Sequence, residues 1–331
     1  MPFSLDAVKP RAVLACTAIV VITVFVFGWK QSSWSSPPRR LHPITVWNHG
    51  KEVPWPRVTE RDRIAMTMKA ASEQFSESDR VLMGHVCVQP VFLQRKRPII
   101  VLTSVPGSGN FWTRYLIEQM TGVYSGSIYA EKLSKTRMGG GTWSNASVVV
   151  VKAHSLLLGD ELKYEGAILL LRNPFDAAKA EFSREATGNH REAAALEMFK
   201  KKRDLFKDNV AVIGGRFEKL VSFWIGVSNG RPVHIVYFED LVADLKGELQ
   251  RIANFLNMEV PADRFQCIID HRQGVNKRSH SQSYKNYDPF DKELTRIMNS
   301  HIRASSRILP RVAQYLRSEE DDNGRELFES P

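Results

Sequence analysis

The chain has 331 residues, of which 43% are hydrophobic and 25% charged, values that are ordinary for a globular protein with a sizeable core. They exclude a disordered chain, and three cysteines are too few for a disulfide framework. The formal net charge is +10, although residues 318–331 carry six acids and one arginine. We therefore predict an acidic disordered tail at 318–331 and a basic remainder, which suits anionic ligands or an acidic membrane surface.

Residues 12–29 contain no charged side chain, and as a helix they would reach about 27 Å, enough for a thin bilayer. We predict a signal anchor here, after a cytoplasmic tail at 1–11. A cleaved signal peptide stays open, because basic residues precede the run although no A-x-A site follows it. A buried core helix is the third possibility. Residues 30–94 begin rich in Ser, Pro and Trp and are predicted to be a stem.

The cysteines and one sequon bear on the compartment of the protein. Cys16 lies inside the apolar run, so Cys87 and Cys267 form the one possible lumenal pair, and two free thiols are the alternative. Neither has neighbours at zinc-site spacing, so no metal site is predicted. Asn145 opens an Asn-Ala-Ser sequon that would be glycosylated only in a lumen.

Short apolar runs alternate with amphipathic stretches over residues 95–317. This pattern predicts an α/β domain with a central parallel sheet in three P-loop-like layers, preceded by the single transmembrane helix. The strands are predicted near 98–103, 147–152, 167–172 and 233–238. A helix is predicted to start at Asp240, with an apolar stripe formed by Leu245, Leu249, Ile252 and Leu256. A shorter helical pattern covers about 59–75.

The stretch VLTSVPGSGNFWTRYLIE, residues 101–118, reads as a buried strand, a glycine-containing turn and a helix. Such a turn exposes unpaired N–H groups at a positive helix end, which suits a phosphate. It matches neither nucleotide fingerprint: Gly109 is not followed by Lys, and Trp112 stands where a dinucleotide loop has its third glycine. The sequence therefore predicts a phosphate-like group at the helix start, with a tight turn that binds nothing as the alternative.

Two further strand ends carry polar side chains. The string VVVVKAHS places Lys152 and His154 at the end of one strand, and LLLRNPFDAAKAEFSRE places Arg172 at the end of another. Asn173 can cap a helix that begins at Pro174. Ligands bind beyond the carboxyl ends of open parallel sheets, and the Arg172 guanidinium suits a phosphate monoester. A salt bridge from Arg172 to an acid of the following helix is the alternative.

The motifs PGSGNFW, KAH, RNPFD and YFED occur in an order that resembles the PAPS-dependent sulfotransferases, where PAPS is 3'-phosphoadenosine 5'-phosphosulfate. The resemblance implies that His154 is the base, that Lys152 stabilises the leaving phosphate oxygen and that Arg172 binds the 3'-phosphate. It also implies a loop for the 5'-phosphosulfate made of Gly107, Ser108, Gly109, Asn110, Phe111 and Trp112. Phe111 and Trp112 would stack on adenine or pack in the core.

The fuller string VPGSGNFWTRYLIEQMTGVYSGS is most similar to the WSC-domain-containing sulfotransferases, although a cysteine-rich WSC domain cannot be present. The resemblance implies a type II Golgi membrane protein with a lumenal catalytic domain. Its acceptor would be a glycan, glycolipid or glycoprotein hydroxyl, with sialic acid the implied sugar and no metal ion required.

Two positions depart from the broader family: Gly107 replaces a loop lysine, and Ala180 replaces a serine that touches the 3'-phosphate. Ser183 can supply the missing hydroxyl one turn later, and Lys277 and Arg278 of a basic loop are predicted phosphate contacts. A catalytically inactive PAPS-binding or scaffolding protein therefore stays open. A glycosyltransferase is disfavoured because no D-x-D pair occurs in the domain, and scattered basic residues disfavour nucleic-acid binding.

Overall fold

The computed structural model describes residues 57–59, 87–93, 97–129, 141, 144–154, 164–188, 192–226, 230–273 and 288–319. All of them belong to one compact unit, Thr45–Pro331. The predicted cytoplasmic tail and signal anchor, most of the stem and of the acidic tail, and nearly all of the 59–75 helical pattern lie outside the described residues. None of the helices in the described ranges is long and apolar enough to cross a membrane.

Five parallel strands form the central sheet. They are β1 (Ile99–Thr103), β2 (Gly126–Ser127), β3 (Val151–Ala153), β4 (Tyr164–Leu171) and β5 (Val233–Tyr237), in the order β2-β3-β1-β4-β5. The chain leaves β1 toward β2 and β3 on one side and later returns to add β4 and β5 on the other. The carboxyl end of β1 is thus the switch point at which a ligand crevice opens in such sheets. The predicted α/β class with a parallel sheet is confirmed.

Helices cover both faces of the sheet. They are α1 (Asn110–Thr121), α2 (Pro174–Thr187), α3 (Leu196–Lys201), α4 (Arg203–Val221), α5 (Phe238–Ala243), α6 (Leu245–Phe255), α7 (Ala262–Asp270) and α8 (Lys292–Ser306), with a final 3₁₀ turn at Pro310–Tyr315. Strand side chains alternate between two apolar cores. Leu102 faces the core that contains α1, α6 and α7, and Val101 faces the core that contains α2, α4 and α8. The result is three layers.

Three predicted boundaries were wrong. The strand predicted near 167–172 is β4, which already begins at Tyr164 and ends at Leu171. The strand predicted at 147–152 is β3, Val151–Ala153, because only these residues pair with β1 in regular register. The helix predicted from Asp240 is two helices, since the Asp244 side chain accepts a hydrogen bond from the backbone N–H of Gly247 at 3.0 Å and starts a new helix there. The predicted apolar stripe is buried as expected.

Part of the predicted stem belongs to the folded domain. Val58 bridges to Met258, and Val91 bridges to Val123, so residues 57–59 and 87–93 bury their apolar side chains against it. Cys87 and Cys267 form a disulfide with a Cα–Cα distance of 5.7 Å. The two sulfurs and a ring nitrogen of His271 lie within 4.8 Å of one another, but the disulfide takes up both sulfurs.

His234 of β5 is a buried histidine whose two ring nitrogens have no hydrogen-bond partner within the described part of the chain. Its ring stacks on Phe255 with centroids 5.3 Å apart. Burial lowers the pKa of His234 to about 4, and the positive charge of Arg251 lowers it in the same direction. The folded protein therefore keeps this imidazole neutral at pH values where the unfolded chain protonates it.

This histidine is expected to make the fold acid-sensitive. Because the folded pKa lies below the ordinary value of about 6.5, stability is complete above pH 6.5 and falls as the pH drops toward 4. The loss between pH 7.5 and pH 5 is about 2 kcal/mol. The free energy of unfolding in urea should change between pH 7.5 and pH 5 by about 2 kcal/mol less in His234→Leu than in wild type. His271→Gln, at an exposed position, is the control and should keep the pH dependence of wild type. Equal pH slopes in wild type and His234→Leu would contradict the assignment.

Candidate functional site

The turn after β1 is a tight bend built on two glycines in the left-handed region, Gly107 with φ 81° and Gly109 with φ 90°. A Cβ on Gly107 would collide with the carbonyl oxygen of Ala177 in α2. A Cβ on Gly109 would lie 2.5 Å from the Phe238 ring. Both positions therefore favour glycine, and a side chain at position 107 would require α2 or the bend to move.

The bend leads directly into α1, whose capping residue Gly109 provides no side-chain hydrogen bond. The first N–H groups of a helix have no acceptor within the helix, and they carry the positive end of its dipole. The buried hydroxyl of Ser108 lies in the same bend and has no hydrogen-bond partner among the described residues. Main-chain donors and an unsatisfied hydroxyl fit an anion such as a phosphate.

Arg172, at the end of β4, lies against this bend. Its Nη1 donates a hydrogen bond to the carbonyl oxygen of Gly107 at 2.9 Å, and its guanidinium lies 4.5 Å from the centroid of the Phe238 ring. The predicted start of α2 is confirmed, because the Asn173 side chain accepts from the Phe175 N–H at 3.0 Å. The strand-to-helix turn thus holds the guanidinium beside the glycines.

The acids that could have paired with Arg172 have other partners. Asp176 pairs with Lys179 at 3.2 Å, and Glu181 pairs with Arg184. Glu239, in the first turn of α5, accepts from the backbone N–H of Asn173 at 2.8 Å and joins the end of β4 to the helix that follows β5. These pairings leave the ends of both strands in fixed positions around the guanidinium.

His154 follows β3 and lies beside the end of β1. Its Nδ1 is 2.7 Å from the carbonyl oxygen of Ser104, which can only accept, so Nδ1 carries the proton. The neutral ring then has its lone pair on Nε2, the tautomer that a general base at that atom requires. The Ser104 hydroxyl accepts in turn from the Asn110 side chain at 3.1 Å, so the first residue of α1 supports the loop that orients the histidine.

Lys152 lies next to His154 on the same strand end, half-buried. Its Nζ is 5.7 Å from the centroid of the Tyr129 ring, which also stacks on the His154 imidazole. The ends of β1, β3 and β4 therefore bring together the glycine bend, His154, Lys152 and Arg172, as the strand-end argument predicted. Their functional roles stay predictions.

The other predicted site residues that the structure describes have less open access to a ligand, or lie away from the bend. Phe111 and Trp112 are half-buried against the core, and the Trp112 ring N–H donates to the Arg272 carbonyl at 2.6 Å. Ser183 is fully buried, with its hydroxyl donating to the Lys179 carbonyl at 2.9 Å, so its predicted phosphate contact stays a prediction. Asn145 is exposed. Lys277 and Arg278 lie outside the described residues.

Three residues of this arrangement were missed in the sequence: Ser104, Tyr129 and Phe238. Ser104 and Phe238 directly follow strands, and that position was the available signal. Tyr129 follows β2, whose two residues give no recognisable strand pattern. Their contacts with His154 and Arg172 depend on the strand order, which residue types alone do not reveal.

Residues 157–305 match the sulfotransferase domain family. A WSCD family member from Drosophila pseudoobscura pseudoobscura is 32% identical over 219 residues, which cover 66% of this chain and 67% of that protein. A WSCD family member from Aedes aegypti is 32% identical over 195 residues, covering 59% and 61%. One from Drosophila melanogaster is 31% identical over 219 residues, covering 66% and 67%.

Among solved structures, a mouse sulfotransferase complexed with PAP has a TM-score of 0.40 at 16% identity and covers 72% of this chain and 92% of its own. A sulfotransferase from Alicyclobacillus acidocaldarius has a TM-score of 0.38 at 14% identity and covers 67% and 100%. The family assignment follows from the WSCD relatives. The chain belongs to the WSCD family and is a member of the sulfotransferase superfamily.

Proposed function

We propose that this protein is a PAPS-dependent O-sulfotransferase that acts on a hydroxyl of a glycoconjugate, with sialic acid as the candidate acceptor sugar. Family membership and the domain match support sulfate transfer in general. The observation that carries the PAPS assignment is the 2.9 Å hydrogen bond from Arg172 to the Gly107 carbonyl. It holds a guanidinium beside the main-chain donors at the start of α1, and this arrangement supports the binding of a nucleotide with two separate phosphate groups.

The bend and Arg172 would bind different phosphate groups of the nucleotide. The N–H groups at the start of α1 and the Ser108 hydroxyl would bind the 5'-phosphate. A guanidinium has five N–H donors, and the Gly107 carbonyl takes one from Arg172, so other donors can bind the 3'-phosphate. The Phe238 ring under the guanidinium holds it in place through a cation–π contact.

PAPS supplies the sulfuryl group that is transferred. His154 would take the proton of the acceptor hydroxyl at Nε2 while the hydroxyl oxygen bonds to sulfur and the bond between sulfur and the phosphate oxygen breaks. Lys152 would stabilise the negative charge that develops on that phosphate oxygen. Because the bend contains no lysine, Lys152 is the cation that this mechanism assigns to the leaving group.

We also propose a Golgi location as a type II membrane protein, with residues 12–29 as the anchor. The disulfide between Cys87 and Cys267 supports an oxidising compartment. The exposed sequon at Asn145 is accessible to glycosylation.

Arg172 tests the nucleotide assignment. Wild type is expected to bind 3',5'-ADP about 10- to 100-fold more tightly than ADP, since charge-assisted hydrogen bonds to the 3'-phosphate contribute about 1.5–3 kcal/mol. Arg172→Met should lose that preference in isothermal titration calorimetry. Arg184→Met, in the helix α2 that follows Arg172 but paired with Glu181, should keep it. Equal affinities of wild type for the two nucleotides would overturn the assignment.

An inactive nucleotide-binding protein is the second candidate, because the bend has Gly107 and no cationic side chain. The two candidates are separated by incubation with radiolabelled PAPS and panels of sialylated and non-sialylated glycans. Tight 3',5'-ADP binding with no labelled product from any glycan would favour the inactive protein.

A further inference from the structure

Tyr129 is fixed at the carboxyl end of β2, one strand away from the predicted base. The Ile128 N–H donates to the Lys152 carbonyl at 3.1 Å and continues the pairing of β2 with β3. The Tyr129 N–H then donates to the Ser127 hydroxyl at 3.0 Å and turns the chain. The backbone therefore sets the tyrosine beside the last residues of β3.

The side chain of Tyr129 contacts both residues to which the mechanism assigns proton and charge transfer. Its hydroxyl accepts a hydrogen bond from the backbone N–H of His154 at 2.8 Å. Its ring stacks on the imidazole, with centroids 5.8 Å apart and planes 25° apart. The Lys152 Nζ lies 5.7 Å from the same ring centroid. One tyrosine thus contacts the backbone and ring of His154 and the ammonium of Lys152.

The contacts with Tyr129 set the plane of the His154 ring and the position of its backbone, in addition to the hydrogen bond from the ring to the Ser104 carbonyl. The hydrogen bond from Nδ1 to the Ser104 carbonyl sets the position of that atom, but it does not by itself set the plane of the ring. Stacking on Tyr129 fixes the plane, and the bond to the His154 N–H fixes the backbone from which the side chain starts. Both constraints together fix the direction of the Nε2 lone pair.

We propose that Tyr129 is a positioning residue that fixes the plane of the His154 ring, so that Nδ1–H keeps its hydrogen bond to the Ser104 carbonyl and Nε2 is directed at the acceptor hydroxyl; this inference rests on the proposed function. An aromatic face also favours a cation. The same ring therefore stabilises the imidazolium that forms when His154 takes the proton, and it lies beside the Lys152 ammonium.

The test compares Tyr129→Leu, which removes the ring, with Tyr129→Phe, which removes only the hydroxyl. Transfer from radiolabelled PAPS to sialylated glycans should fall about 10- to 100-fold in kcat for Tyr129→Leu and less for Tyr129→Phe. KM for PAPS and the affinity for 3',5'-ADP should stay within about twofold, because neither phosphate site uses Tyr129. Tyr164→Leu is the matched control. Tyr164 also makes an aromatic contact, 5.4 Å from Trp224, and a cation–π contact, 4.7 Å from Arg231, but at the opposite end of the sheet.

A second readout does not depend on activity. Two-bond ¹H–¹⁵N spectra of the protein labelled at its nine histidines report the tautomer of each ring, with the His154 signals assigned from His154→Ala. Wild type should show Nδ1–H at His154, and Tyr129→Leu should show a mixture of tautomers. An unchanged His154 spectrum in Tyr129→Leu, or a loss of 3',5'-ADP affinity equal to the loss of kcat, overturns the proposal. If wild type transfers no sulfate but the His154 spectrum changes as expected, the proposed function fails and the positioning role stands.

Discussion

Replacing His154 by alanine is expected to lower kcat for sulfate transfer by about 10²- to 10⁴-fold, the usual contribution of a general base. The Ser104 carbonyl orients the ring through Nδ1, and the variant removes the atom that would accept the proton. The affinity for 3',5'-ADP, measured by calorimetry, should stay within about threefold, because the proposed phosphate contacts come from the bend and Arg172.

Two variants sharpen this result. His154→Gln keeps a polar side chain but has no basic nitrogen, so it should be as inactive as the alanine variant. His271→Ala changes an exposed histidine at the end of α7 and should keep full activity. Full kcat in His154→Ala would refute the base assignment, whereas a parallel loss of nucleotide affinity would show that His154 acts in binding.

Replacing Gly107 by alanine is expected to destabilise the domain by about 2–4 kcal/mol and to weaken 3',5'-ADP binding by more than about tenfold. The φ of 81° is unfavourable for any side chain, and the new methyl group would meet the Ala177 carbonyl. Relief of that collision moves the bend away from α2, and the main-chain cradle moves with it. Chemical denaturation and calorimetry measure the two effects.

Gly188 provides a control that separates strain from collision. Its φ is 67°, but a Cβ there would meet nothing within 4 Å. Gly188→Ala should therefore cost about 1–2 kcal/mol from backbone strain alone and leave nucleotide affinity unchanged. Identical behaviour of the two variants would mean that contact with α2 has no part in shaping the bend.

The same collision predicts that Gly107→Lys does not restore the broader family's pattern. A lysine would need both the left-handed backbone and space that Ala177 occupies. Gly107→Lys should therefore lower the stability of the domain and should not raise the rate of sulfate transfer. A faster Gly107→Lys enzyme would show that the bend can rearrange around a side chain.

Much of the fold could be predicted because long apolar runs determine it. The apolar runs at 99–102 and 167–171 lie in strands whose central residues are buried on both faces, and an uninterrupted apolar pattern reflects such burial. Asn173 and Pro174 predicted the start of α2 for equally local reasons. The two-residue β2 could not be predicted, since its register comes from β3 and not from its own sequence.

The candidate site could be predicted only in part, because strand ends are visible in a sequence and their neighbours are not. Arg172 and His154 were found as polar residues after apolar runs. That Arg172 contacts Gly107, 65 positions earlier, follows from β4 pairing directly with β1, which no local pattern encodes. Ser104 and Phe238 act through a carbonyl and a ring face, neither of which suggests a functional role in a sequence.

The disulfide between Cys87 and Cys267 has a practical consequence for preparing the protein. It joins residues 180 positions apart. Closing so long a loop lowers the conformational entropy of the unfolded chain, which stabilises the folded state by about 3–5 kcal/mol. The turn after α7 accepts hydrogen bonds from Tyr115 at the His271 carbonyl and from Trp112 at the Arg272 carbonyl, so the covalent link braces the helix that starts at the bend. Expression in a bacterial cytoplasm would yield the chain with both cysteines reduced. We therefore expect correctly folded protein from periplasmic or secretory expression.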